Sequence, residues 1–152
     1  MIIGFICALL VVGLDQLTKF LVYGTVSRSI IGNLLWFEST LNTGVAFSML
    51  EGNSWLFFVI ASIASVIIIY LICSKKWLKG TFERVALGLI LGGTISNAID
   101  RLIFKGVRDF IYLKFMNFAI FNLADFAITV GAVLFCISIL FLRERKEKDD
   151  RT

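Results

Sequence analysis

Histidine and proline are absent from this chain of 152 residues; cysteine occurs three times, and only 17% of residues are charged. Without histidine, no imidazole is available to activate a serine or cysteine, and the usual zinc and haem ligand sets are missing. Cys7, Cys73 and Cys136 stand singly in different apolar runs, without ligand spacing or a pairing pattern, and read as small hydrophobes. No metal and no cofactor is expected. The scarcity of charge is matched by 59% hydrophobic residues and a mean hydropathy of +0.91. A soluble domain of this length cannot hide so much apolar surface, so lipid must be the solvent for much of it.

What is present are long apolar runs. A helix needs about 20 mostly apolar residues to cross a bilayer, and four stretches qualify: 2–23, 55–73, 82–99 and 126–142. The first has no basic leader or small-residue cleavage site and runs on through Asp15 and Lys19, so it reads as an uncleaved helix. Lys75, Lys76, Lys79 and Arg84 between the second and third spans, and the tail 143–152 with Arg143, Arg145, Lys146, Lys148 and Arg151, mark the cytoplasmic side. Both termini are then cytoplasmic, and segments 24–54 and 100–125 lie outside. Arg101, Lys105, Arg108 and Lys114, in the second outside segment, run against that rule. The net charge of +4 gives no reason to expect nucleic acid. The stretch 30–50 is rich in β-branched and aromatic residues and broken by Gly32, Asn33, Asn42 and Gly44, a pattern of short strands and turns. The fold class expected is a mainly α integral membrane protein: four transmembrane helices with a small extracytoplasmic β-rich segment between helices 1 and 2, as one domain spanning 1–152.

The few polar residues are not scattered. The third span rises roughly 27 Å, slightly short of the ~30 Å hydrocarbon layer, which brings SNAIDR (96–101) to its outer rim. There Asn97, Asp100 and Arg101 share a helix face at i, i+3 and i, i+4. FNLAD puts Asn122 and Asp125 at the same level at the start of the fourth span, and Asp109 lies in the loop between. Asp15, Thr18 and Lys19 occupy the outer half of the first span. Each has a structural reading: Asn122 and Asp125 as a helix cap, Asp15 and Lys19 as an i, i+4 pair, Asn42-Thr43-Gly44 as a turn, Gly92 and Gly93 as packing or as room for a substrate chain. Yet a charge at membrane depth costs on the order of 2.5–3.5 kcal/mol, and convergence at one depth points to function.

Without histidine, a serine–lysine pair (Ser48 or Ser96 with Lys19 or Lys105) is formally open but favoured by no spacing. Paired carboxylates are the other route. Two aspartates held close together cannot both ionise cheaply, so one keeps a proton while the other acts as base on water. Asp125 at a helix N-terminus and Asp109 on the loop are the natural pair.

DQLTK, LNTGVAF, GGTISNAIDR, VRDF and FNLAD, in this order on a four-span plan, closely resemble the lipoprotein signal peptidase (signal peptidase II) family over nearly the whole chain. The resemblance implies a bacterial aspartyl endopeptidase of the cytoplasmic membrane, with its site near the outer face. Its substrate would be a prolipoprotein carrying diacylglyceryl on a cysteine, cut just before that cysteine. Membrane lipid and this substrate are the partners expected, for a chain expected to be monomeric. The family pattern implies Asp109 and Asp125 as the catalytic pair. Asn42, Gly44, Asn97, Asp100, Arg101 and Asn122 would support them and hold substrate, with Asp15 and Lys19 bracing the site. Ser96 stands where the family usually has glycine. The rival readings are a small cation-coupled transporter, which would need acids nearer mid-bilayer, and a non-catalytic assembly scaffold.

Overall fold

The computed structural model describes residues 1–25, 27–44, 52–74, 78, 80–116 and 118–142. Its elements are α1 (Ile2–Val22), β1 (Arg28–Ile31), β2 (Leu35–Asn42), α2 (Ser54–Cys73), α3 (Thr81–Phe104), β3 (Val107–Leu113) and α4 (Leu123–Ile137). A single π turn, Ser138–Leu142, continues α4. Among the described residues, four helices are long and apolar enough to cross a membrane, in agreement with the expected fold class. Large apolar side chains such as Leu9, Phe20, Val66, Ile103 and Phe126 stand exposed around the bundle, where lipid rather than water would cover them. The basic residues Lys75, Lys76 and Lys79, the stretch 45–50 with Ser48, and the tail 143–152 lie outside the described residues.

The central helix is α3, which packs against each of the other three. Adjacent glycines make this possible, because neighbouring residues on a helix point about 100° apart. A Cβ on Gly92 would sit 2.6 Å from the Ala8 carbonyl oxygen of α1, and one on Gly93 would collide with the Ala124 carbonyl oxygen of α4. Helix packing thus accounts for both glycines, and no room is left there for a substrate chain.

Two boundaries differ from the sequence expectation. Instead of ending at 99, α3 runs on to Phe104 and stops at Lys105, whose φ of 58° is left-handed. Asp100 and Arg101 are therefore helical residues, and the helix continues because their polar groups find partners inside the protein. Its 24 residues span about 36 Å, enough to carry that end beyond a ~30 Å apolar layer. At the other boundary, α4 starts at Leu123 rather than 126, because Asn122 caps it: the Asn122 side chain accepts from the Asp125 N–H, and the Asp125 carboxylate accepts from the Asn122 N–H.

The β-rich part is a three-stranded antiparallel sheet in the order β1-β2-β3. Two strands come from the segment between α1 and α2, as the sequence suggested, but β3 comes from the segment between α3 and α4. Thr40 pairs with Asp109 and Asn42 with Val107, so Asn42 and Asp109 are diagonal neighbours on one face. The sheet ties the two connecting segments together over one end of the bundle.

Candidate active site

A cavity of about 630 Å³ opens beneath this sheet, lined on its polar side by Asn42, Gly44, Asn97, Arg101, Asp109 and Asp125. The rest of its wall is mostly apolar, including Leu113, Met116, Phe118, Ile120, Phe121 and Phe126. Asp109 comes from β3 and Asp125 from the first turn of α4, so the two acids reach the cavity from different elements.

Each acid is held by amides whose orientation is dictated by further partners. Asp109 Oδ1 accepts from Asn122 Nδ2 at 2.6 Å and its Oδ2 from Asn42 Nδ2 at 3.1 Å. The Asn42 amide is turned by the Gly44 N–H, which donates to Asn42 Oδ1 at 3.0 Å. Asn122 is turned by its cap, Oδ1 accepting from the Asp125 N–H at 2.9 Å. Asp125 Oδ1 accepts from Asn97 Nδ2 at 2.7 Å. The other end of Asn97 accepts from Lys19 Nζ at 2.9 Å and from Asn122 Nδ2 at 3.2 Å. Asn97 and Asn122 thus form a bridge from one acid to the other. Burial above all, and then the charge of Asp125, pushes the Asp109 carboxyl up from 3.8 to about 7, despite the opposing amide hydrogen bonds and Lys19.

Behind this layer lies a fully buried ionic cluster. Lys19 Nζ meets Asp15 Oδ2 at 2.7 Å and Asp100 Oδ2 at 3.3 Å. Asp15 also accepts from the Ala124 N–H at 2.9 Å and from the Ser96 hydroxyl at 2.6 Å. Asp15, Lys19, Asp100 and Asn122 do not line the cavity. Of the residues that the resemblance assigns to support and substrate holding, these four sit behind the wall, while Asn42, Gly44, Asn97 and Arg101 face it. Arg101 donates to the Asn97 carbonyl at 3.3 Å and lies 5.7 Å from the centre of the Phe57 ring.

Some placements differ from the sequence reading. Thr18 turns its hydroxyl to its own helix, on the Leu14 and Asp15 carbonyls, and joins no cluster. Gln16 and Arg108, which sequence reasoning passed over, do join it: Gln16 reaches Ser96 and Asp100, and Arg108 reaches Asp100 and Gln16. Strand alternation was the available signal for Arg108, since a neighbour of Asp109 on a strand must point to the opposite face. The Ser96 hydroxyl is engaged with Asp15 and Gln16, and Ser96 is fully buried. Among the described residues the Lys105 ammonium donates to the Leu102 carbonyl and Lys19 to Asn97, and neither lysine is paired with Ser96. No group of three or more acidic or cysteine side chains converges as a metal site among the described residues.

An apolar four-helix protein with two acids opening onto one amide-braced cavity belongs among multi-pass membrane proteins with a buried polar centre. The family description that matches, over residues 7–141, is Signal peptidase (SPase) II. A lipoprotein signal peptidase of Shouchella clausii (strain KSM-K16) is 45% identical, the match covering 95% of this chain and 97% of that protein. One of Enterococcus faecalis (strain ATCC 700802 / V583) is 39% identical over 99% of this chain and 95% of its own. A solved bacterial membrane enzyme, obtained by the in meso method at 2.3 Å resolution, superposes with a TM-score of 0.80 at 31% identity, covering 95% of this chain and 90% of that one. The chain belongs to the signal peptidase II family. It is accordingly a peptidase, and a multi-pass protein of the bacterial cytoplasmic membrane.

Proposed function

We propose that this chain is an aspartyl endopeptidase that removes the signal peptide from diacylglyceryl-modified prolipoproteins, cutting before the lipidated cysteine. The observation that carries the reading is the opening of Asp109 and Asp125 onto a single cavity with an otherwise mostly apolar wall. Asp109, whose carboxyl is pushed up to about 7, is the member of the pair that supplies a proton, and Asp125 is the base. Asp125 takes a proton from a water in the cavity, and the water oxygen attacks the scissile carbonyl carbon. Asp109 gives its proton to the carbonyl oxygen as the tetrahedral intermediate forms. Collapse of the intermediate breaks the C–N bond: one hydroxyl returns its proton to Asp109 as the carbonyl re-forms, and the amine leaves with the proton that Asp125 took. Asn42, Asn97 and Asn122 keep the two carboxyl groups aimed inward throughout, and Arg101 offers its charge to the peptide backbone or to developing negative charge.

The apolar wall suits acyl chains, and a lipidated cysteine anchored in the outer leaflet presents its peptide bond near the headgroup level. The site then belongs at the outer face, with both termini cytoplasmic and the whole chain acting as one monomeric, membrane-embedded domain. Purified protein should cleave a diacylglyceryl precursor and leave its unlipidated counterpart intact. Asp109→Asn and Asp125→Asn should each reduce cleavage at least about 10³-fold while the protein stays folded in detergent. Near-normal cleavage by either variant overturns the assignment.

A further inference from the structure

Arg108 stands next to Asp109 on β3 and points the other way, into the contact between α1 and α3. It is only 7% exposed and does not line the cavity, an unusual burial for an arginine. Its NH2 group donates to Asp100 Oδ1 at 2.8 Å and Gln16 Oε1 at 2.7 Å, and its Nε to Asp100 Oδ2 at 3.2 Å. The backbone N–H of the same residue donates to Asp100 Oδ2 at 2.9 Å. The Phe104 ring covers the guanidinium at 4.2 Å. Main chain and side chain of the residue before Asp109 are thus both fastened to one carboxylate on α3.

Gln16 completes the fastening from α1. Its Nε2 donates to Asp100 Oδ1 and to the Ser96 hydroxyl, each at 2.9 Å, which turns its Oε1 toward Arg108. The Ser96 hydroxyl in turn donates a hydrogen bond to Asp15 Oδ2 at 2.6 Å. Two buried anions, Asp15 and Asp100, are matched by two buried cations, Lys19 and Arg108, so the cluster as a whole is neutral. β3 begins at Val107, immediately after the turn that ends α3, so the clamp on Arg108 and the pairing of Asp109 with Thr40 together set where Asp109 stands. A bidentate fork holds direction as well as distance, which a lysine at this position would not.

We propose that Arg108, clamped by Asp100 and Gln16, is a positioning residue that sets where Asp109 stands in the cavity. The inference rests on the peptidase reading above. The test is steady-state cleavage of a diacylglyceryl precursor, normalised to folded protein, by Arg108→Gln, Arg108→Lys, Gln16→Met and Asp109→Asn. A displaced acid should lower kcat by about 10²-fold in Arg108→Gln with KM changed less than about threefold, since binding is not touched. Arg108→Lys, which restores charge but not the fork, should recover only part of the loss. Gln16→Met, which leaves the Arg108–Asp100 pair in place, should lower kcat by about five- to tenfold. Unchanged kcat in Arg108→Gln beside an inactive Asp109→Asn overturns this proposal alone, as does a loss carried by KM, full recovery with lysine, or unchanged kcat in Gln16→Met. Cleavage by Asp109→Asn at near-normal rate overturns the dyad reading itself.

Discussion

Asn122 offers a sharp perturbation, because one small side chain serves two purposes. Its oxygen caps α4 by accepting from the Asp125 N–H at 2.9 Å, and its nitrogen donates to Asp109 at 2.6 Å and to Asn97 at 3.2 Å. Asn122→Ala would remove both, and the cap alone is worth about 1 kcal/mol. Asn122→Asp keeps the size and the capping oxygen and replaces the donor by a second oxygen. A hydrogen bond to a neutral carboxyl contributes about 0.5–1.5 kcal/mol. At about 1.4 kcal/mol per tenfold, its loss should lower kcat by roughly 2- to 12-fold. The new carboxyl faces Asp109 at hydrogen-bond distance, and two acids there cannot both ionise cheaply, so at low pH the two hold at least one proton between them and remain joined by a hydrogen bond, much as with the amide. The deficit should therefore be small near pH 5 and grow toward pH 8. The assay is cleavage of a lipidated precursor by wild type and Asn122→Asp across that range, with thermal unfolding of both in detergent at pH 5, where the melting temperatures should nearly coincide. A variant as active as wild type at pH 8 would refute the assigned role of the Asn122 amide, and so would a deficit independent of pH.

Other outcomes follow from the same geometry. With the Asp109 carboxyl raised to about 7, kcat/KM should fall about tenfold per pH unit above that point, as the pair loses its last proton. The sign for folding is the same: this raised carboxyl stabilises the folded state fully below about 4 and loses that contribution as pH rises through about 7, which unfolding in detergent at pH 4 to 8 would register. Gly93→Val should force α3 from α4 at the Ala124 carbonyl, costing at least about 1–3 kcal/mol in detergent unfolding and lowering cleavage, because those helices carry Asn97 and Asp125.

Much of the architecture was legible in one dimension. Apolar runs near 20 residues can satisfy their backbone in lipid only as helices, so composition and length alone mark the four spans. The polar residues stood out against that background, and helical spacing placed Asn97 beside Asp100 and Arg101, and Asn122 beside Asp125. Helix ends were less legible, because α3 continues past Asp100 only where Arg108, Gln16 and Lys19 receive its carboxylate. Tertiary structure alone decided that a strand from the later segment would pair with β2, bringing Asn42 to Asp109 across 67 positions of sequence. It also decided which polar residues face the cavity and which lie behind it. Hydropathy is a local property read along the chain, whereas strand register and the direction of a side chain at a shared contact depend on partners that only the folded chain supplies.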